Sequence, residues 1–243
     1  SAPVEHLKKL VDNGLTHFHV LPATDMATVN ENASERIEMT DILAKLCSKI
    51  NDAADACKTQ NKSATIESIL ANSLPGSSDA QALVDAMRGL DGFNWGYDPQ
   101  HFFAPEGSYA TVADGTARVL ELREMNQALH NIGLRVVLDV VYNHTSASGV
   151  NANAVLDKVV PGYYHRYDPV SGAMEQSTCC ENTATEHRMM GKLVTDSLVL
   201  LAKEYGYDGF RFDVMGHMPK QGILDARTAV QAVDPDTYFY GEG

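Results

Sequence analysis

The chain has 243 residues, 44% of them hydrophobic, and 19 Lys and Arg against 32 Asp and Glu give it a formal net charge of -13. That length buries a substantial core and predicts one large domain, or one with a small companion. The negative balance argues against nucleic acid or anionic membranes as partners and suits a neutral ligand, and no apolar run reaches the roughly 18 residues of a membrane span.

The first predicted element is an amphipathic helix with Val4, Leu7, Leu10 and Val11 on one face, closed by Gly14 and followed by a strand in "LTHFHVLP". From 24 to 93 the pattern breaks. Helical stretches are expected there around 37 to 58 and 79 to 88, separated by "NSLPGSSD", and the segment reads as an insertion with no interpretable motif, its Lys and Glu forming a solvated face. The helix of Leu122, Met125, Leu129 and Ile132 then leads through Gly133 to "LRVVLDVVYNH". Leu193, Val194, Leu198 and Leu201 lead through Gly206 to "YDGFRFDV", and a last helix over roughly 221 to 232 feeds the strand of "TYFYGEG".

A helix, a glycine and a short apolar strand thus recur, which predicts an α/β fold with a parallel sheet, and "RVVLDVV" is apolar on both faces as such a sheet requires. A dinucleotide-binding reading needs a glycine-rich phosphate loop after a strand, and the sequence has none. The polar residues gather where strands end: Asp139, Asn143 and His144 on one, Arg211 and Asp213 on another, Glu242 on a third. That end is the catalytic face of a (β/α)8 TIM barrel, the architecture expected here.

Four cysteines, at 47, 57, 179 and 180, match no zinc spacing and by themselves prove no disulfide. Cys47 and Cys57 in one unbroken helix would stand about 15 Å apart, so a bond between them requires the helix to break. Adjacent Cys179 and Cys180 have Cα atoms about 3.8 Å apart, closer than a usual bridge. Asn32, Asn61 and Asn143 begin Asn-x-Ser/Thr sequons that read as chance matches. Ser1 stands where an initiator Met would, and the chain is expected to be a processed or excised piece.

The chemistry centres on "YDGFRFDVMGH", residues 207 to 217. Alternation along a strand puts Arg211 and Asp213 on one face and Phe210, Phe212 and Val214 on the other. A guanidinium beside a half-buried carboxylate favours its charged form, which suits a covalent nucleophile and equally suits a structural ion pair. Glu242 ends the neighbouring strand without an obvious cation. Two carboxylates in unlike surroundings can divide acid and nucleophile roles, as in glycoside hydrolysis, with Asp213 the nucleophile and Glu242 the acid. A retaining pair stands about 5 to 5.5 Å apart. His144 and His217 offer hydrogen bonds to sugar hydroxyls, while Trp95 and Tyr97 in "NWGYDP" offer flat faces for pyranose rings. Singly, a His is more often a satisfied structural residue and a Trp a core residue.

Together "DVVYNH", "GFRFDVMGH" and "YGEG" resemble the first three conserved regions of the α-amylase superfamily, glycoside hydrolase family 13, in order on successive strands. "NWGYDP", "PEGSYA" and "TCCENTATEHRMM" resemble the type I pullulanase and limit dextrinase group, whose members hydrolyse α-1,6 branch links. The resemblance implies Asp213 as nucleophile, Glu242 as general acid/base and Arg211 as the nucleophile's partner. It implies His144 and Tyr97 on the sugar in subsite -1, Asp139 and Asn143 as supporting residues, and His217 at the acceptor side. It further implies a partial barrel, strands two to five, with residues 1 to 23 as a barrel helix and strand, 24 to 93 as the insertion and 94 to 243 as the portion carrying the catalytic strands. The family's fourth region, with its third catalytic Asp, is expected to lie outside the chain, leaving the catalytic domain incomplete at both ends. A secreted or surface-attached protein is implied, with oxidation and hence a Cys179–Cys180 bond.

The expected function is therefore a retaining hydrolase of α-1,6 links in pullulan, starch or glycogen-type glucans. Alternatives are an α-1,4-acting amylase-type hydrolase, a catalytically silent α-glucan-binding fragment, and a metal-dependent barrel enzyme using Asp139, His144, Asp213 and Glu242. Arg211 beside that cluster would repel a cation, and a binding module has no need of acid, nucleophile and Arg together. No cofactor is expected for the chemistry, a structural calcium is left open, and the partner is an α-glucan rather than nucleic acid or membrane.

Overall fold

In the computed structural model, which describes residues 2–243, helix α1 (Ala2–Asp12) turns at Gly14 into strand β1 (His17–Val20). Two compact units follow from the packing, one of the residues up to Ala27 with Trp95–Gly243, the other Thr28–Asn94.

The second unit holds four short helices: α2 (Leu43–Lys49), α3 (Ala56–Thr59), α4 (Ile66–Ala71) and α5 (Ser78–Met87). Thr65 and Ser77 cap α4 and α5 through their side-chain oxygens. The helical stretch expected over 37 to 58 is interrupted, because Asn51 and Asp52 take positive φ between α2 and α3. Asn and Asp tolerate that conformation better than other side chains. The break lets Cys47 and Cys57 join in a disulfide at a Cα separation of 5.7 Å. Both sulfurs are buried in a core with Ile37, Leu43, Leu46, Ile66, Leu83 and Met87.

In the first unit, α6 (Ala117–Asn131) precedes β2 (Arg135–Val140), and the chain continues into a two-residue strand β3 (His144–Thr145), a turn of helix α7 (Leu156–Val159) and a second short strand β4 (Glu181–Asn182). Next come α8 (Arg188–Tyr205), β5 (Gly209–Phe212), α9 (Lys220–Gln231) and β6 (Tyr238–Gly241). Helix α8 buries Met190, Val194, Leu198, Leu201 and Tyr205, a three-to-four spacing that makes one apolar stripe. It ends at Gly206 in the left-handed region (φ 73°), where a glycine costs no steric strain.

Strands β1, β2, β5 and β6 form a parallel sheet in that order, while β3 and β4 pair antiparallel apart from it. Val136, Leu138, Val140, Phe210 and Phe212 project from the sheet into a core shared with α6, α8 and α9. Alternation leaves His17, His19, Asp139, Arg211, Tyr238 and Tyr240 on the opposite face. The sheet is open, with β1 and β6 at its edges.

Candidate active site

The register of β2 on β5 sets Asp139 beside Arg211, and that of β5 on β6 sets Arg211 beside Tyr240. Arg211 therefore stands between two strands at their carboxyl ends. Its Nη1 donates to both oxygens of Asp139 at 3.0 Å and to Asp213 Oδ1 at 3.3 Å, and its Nη2 donates to Glu242 Oε2 at 2.6 Å. The expected contact of Arg211 with Asp213 is present, and Nη1 lies nearer still to Asp139, because neighbours across a parallel ladder lie nearer than residues two apart on a strand that ends between them. One sequence expectation changes. Glu242 does have a cation, and it is the same Arg211.

Asp139 is the most enclosed member, its side chain 2% exposed. Burial pushes its carboxyl above the usual carboxylate range, opposed by hydrogen bonds from Arg211 and Tyr97 and by the charges of Arg211 and His19. For Arg211 burial works against the charge, but the hydrogen bond and charge of Asp139 outweigh it and hold the guanidinium protonated. Tyr97 OH donates to Asp139 Oδ2 at 2.8 Å, and burial with that carboxylate raises the phenol pKa, so the hydroxyl remains a donor. The loop reaches this position through Gly96 (φ 90°), where a Cβ would fall 2.5 Å from the Pro22 carbonyl oxygen. His19 Nε2 lies 3.6 Å from Asp139 Oδ2, and its Nδ1 contacts Tyr240 OH at 3.1 Å. Neither His19 nor Tyr240 was among the residues expected at the site; the signal was the alternation that puts His19, two residues after His17, on the polar face of β1.

Beyond β5 the chain turns sharply. Asp213 is followed by Val214 with φ 42° and ψ 53°, a left-handed conformation that is strained for a β-branched residue. Val214 was expected to continue the strand's alternation, and the turn replaces it. The turn points the Met215 amide at the Glu242 carbonyl oxygen, 2.8 Å away, while Glu242 N donates to Phe212 O at 3.0 Å. Gly241 makes room for this crossing, since a Cβ there would lie 2.6 Å from Met215 Cβ. Backbone bonds thus tie the segment bearing Asp213 to the residue bearing the second carboxylate.

Asn143, buried, donates from Nδ2 to Asp213 Oδ2 and to the Asp213 carbonyl oxygen, both at 2.9 Å. That fixes its Oδ1 as an acceptor for His144 Nδ1 at 2.7 Å. His144 Nε2 faces the Tyr97 carbonyl oxygen at 2.8 Å and Cys179 Sγ at 3.6 Å. The β3/β4 ladder pairs His144 with Asn182, which brings the Cys179–Cys180 disulfide to the same rim. The result is a cleft of about 560 Å³ lined by Tyr97, His144, Thr178, Cys179, Arg211, Asp213, Val214 and Glu242. Asp139 and Asn143 support it from beneath through these bonds. Trp95, strongly exposed, and His217, whose Nδ1 lies 3.5 Å from Ser177 Oγ, are outside the lining.

Two carboxylates on adjacent strand ends of a parallel α/β scaffold share an arginine and open on a polar cleft. No family model matches the chain. It is 43% identical over 249 residues to a pullulanase of Klebsiella aerogenes, covering 99% of this chain and 23% of that protein. It is 41% identical over 252 residues to the chloroplastic pullulanase 1 of Arabidopsis thaliana, covering 100% of this chain and 23% of the relative. The solved structure of a maltotriose complex of Klebsiella pneumoniae pullulanase superposes with a TM-score of 0.94 at 43% identity, over 99% of this chain and 27% of that one. The chain belongs to the pullulanase group of the α-amylase superfamily, and it spans about a quarter of the length of these relatives.

Proposed function

We propose that the chain carries the nucleophile and the general acid/base of a retaining hydrolase that cleaves α-1,6 branch links in pullulan, starch or glycogen-type glucans. The observation that carries this reading is the shared guanidinium: Arg211 holds Asp213 and Glu242 at the mouth of one cleft. Asp213, aimed by Asn143 and Arg211, attacks the anomeric carbon while Glu242, half-exposed at the rim, protonates the departing glycosidic oxygen. The C–O bond breaks as the carboxylate–carbon bond forms; Glu242, now ionised, takes a proton from water, which displaces Asp213 with net retention. His144 and Tyr97 would meet the sugar in the cleft, Asp139 and Asn143 hold Arg211 and Asp213, and Trp95 and His217 would act on more distant glucose units.

The sheet is proposed as strands two to five of a (β/α)8 barrel, with residues 1 to 23 and 94 to 243 as its parts and 24 to 93 as the insertion. The maltotriose bound to the Klebsiella pneumoniae relative supports an α-glucan as ligand class. Two disulfides fit an oxidising compartment, and an extracellular or cell-surface location is proposed; no described helix is long and apolar enough to cross a membrane. The chemistry uses no cofactor, and a structural calcium remains part of the proposal, readable by metal analysis of purified protein. The test is turnover of pullulan against linear amylose by the full-length protein: release of maltotriose units from pullulan with amylose untouched is expected, and the reverse preference refutes the α-1,6 reading.

A further inference from the structure

The cleft that holds the two carboxylates is also lined by Cys179, half of the Cys179–Cys180 disulfide. Cys179 is exposed and Cys180 half-buried, and one ligand atom from each of Cys179, Cys180 and His144 can be chosen so that all three lie within 4.8 Å of one another. The pair is held there by its neighbours: Thr178 donates from N and Oγ1 to Asn182 Oδ1 at 3.4 and 2.8 Å, Asn182 Nδ2 donates to Ser177 Oγ at 2.6 Å, and Asn182 pairs with His144 across the β3/β4 ladder. His144 is anchored on its far side, where Nδ1 meets the Asn143 oxygen, leaving Nε2 toward the sulfur. A histidine whose second nitrogen is held by a hydrogen bond is the arrangement that orients an imidazole for metal binding. The Tyr97 carbonyl, 2.8 Å from Nε2, adds an oxygen donor at the same point.

We propose that Cys179 and Cys180, once reduced, form with His144 a site for a thiophilic divalent ion such as Zn²⁺, and that the captured ion closes the cleft. A small dithiol opens the bond by exchange: its thiolate attacks one sulfur, its second thiol closes on the first, and the cysteines gain two electrons and two protons while the reagent becomes a cyclic disulfide. Ion capture then releases the thiol protons, with any proton on Nε2, to solvent, and the metal takes the Nε2 lone pair. Thiolate and imidazole together select zinc-like ions over the hard cations that carboxylates prefer. Arg211 does not forbid a cation, because three carboxylates, Asp139, Asp213 and Glu242, surround its one positive charge and two thiolates add to the negative field. In the disulfide state the sulfurs offer no such ligand, so reduction gates the site. The binding step stands on geometry alone; its effect on turnover rests on the hydrolase reading.

The exposed pair reduces before the buried Cys47–Cys57 bond, so brief dithiol treatment followed by anaerobic desalting gives the protein to be titrated with Zn²⁺ and with Co²⁺ as a spectroscopic probe. One ion per chain by native mass spectrometry, with thiolate-to-cobalt charge-transfer absorption, is expected after reduction and not before. Cys179→Ser/Cys180→Ser is expected to lose the ion, and His144→Gln to weaken it at least about tenfold. Unreduced protein that binds equally, or a folded double serine variant that binds as well as wild type, overturns the site. In the full-length protein Zn²⁺ should inhibit pullulan hydrolysis only after reduction; stoichiometric binding with undiminished turnover overturns the closing of the cleft. Absence of turnover before any treatment counts against the hydrolase reading instead, while the ion titration still decides the site.

Discussion

Arg211→Met tests whether the guanidinium is a structural counter-ion, a catalytic support or both. The substitution keeps most of the stem and removes four contacts: two to Asp139, one to Asp213 and one to Glu242. Glu242 and Asp213 can turn toward water, but Asp139 cannot, since its side chain is 2% exposed and keeps only the Tyr97 hydroxyl and the more distant His19. Breaking a buried pair by removing one partner costs about 3 to 5 kcal/mol, and the remaining hydroxyl puts this case near the lower figure. A loss of about 3 kcal/mol lowers the melting temperature by roughly 6 to 12 °C in a unit of this size. The pH dependence carries the sign. Asp139 already has a raised carboxyl pKa, and without Arg211 it rises further. A group raised above its unfolded value gives stability below the unfolded pKa, near 4, and loses it as pH rises through the folded pKa. The deficit of the variant should therefore be small in mild acid and full at pH 8. Differential scanning calorimetry of the full-length protein at both pH values measures it, and equal melting of variant and wild type at pH 8 refutes the buried-pair account. Arg211→Lys is expected to recover part of the stability but little turnover, because one ammonium cannot bridge strands β2 and β6 as the planar fork does.

Asp213→Asn in the full-length protein should abolish pullulan turnover while substrate binding and melting change little; normal activity in a folded variant removes it as nucleophile. Asn143→Ala deletes a hydrogen bond to a charged group worth about 1.5 to 3 kcal/mol, and kcat should fall roughly 10- to 100-fold with KM nearly unchanged, whereas an unaltered kcat would mean Asn143 does not aim Asp213. Gly241→Val places atoms against Met215 and should cost about 1 to 3 kcal/mol of stability along with turnover, checked by calorimetry and pullulan assay in parallel. Cys47→Ser/Cys57→Ser should destabilise residues 28–94 by about 2 to 4 kcal/mol, seen as faster amide exchange across α2 and α3; unchanged exchange there would show the bond to be dispensable.

The parallel sheet was legible because its signals are local. Each of the glycines at 14, 133 and 206 takes positive φ after a helix, and the apolar strands follow them directly. Arg211, Asp213 and Glu242 were legible for the same reason, as charges set in apolar strand ends. The contact of Arg211 with Asp213 was legible too, from their two-residue spacing, but those with Asp139 and Glu242 were not. Which further carboxylates meet the guanidinium depends on the order β1-β2-β5-β6 and on the register Asp139↔Arg211↔Tyr240, and neither is written in any one segment. The break at Asn51 and Asp52 was equally hidden, since single residues at positive φ leave only a weak composition signal. The approach of Cys179 to His144 escaped because β3 and β4, two residues each, are too short for a periodicity, yet their ladder brings the two together.

The strain at Val214 belongs with this long-range order. A valine at φ 42° is expected to cost about 1 to 3 kcal/mol, and it persists only where surrounding contacts over-determine it. Here those contacts are the Met215 amide on the Glu242 carbonyl, the Asn143 amide on both the backbone and the carboxylate of Asp213, and Arg211 across the top. Together they tie the Asp213–Met215 segment to the end of β6 and to the Asn143 loop. The turn that would relax if left alone is therefore held by the groups that fix the distance between the two carboxylates. Val214→Gly separates the contributions: it removes the strain without touching a hydrogen bond, so stability should hold or rise slightly, while the freer backbone loosens Asp213 and lowers kcat. A variant with lower stability and unchanged kcat would show that Val214 serves packing, and that the spacing of Asp213 and Glu242 is set by the sheet alone.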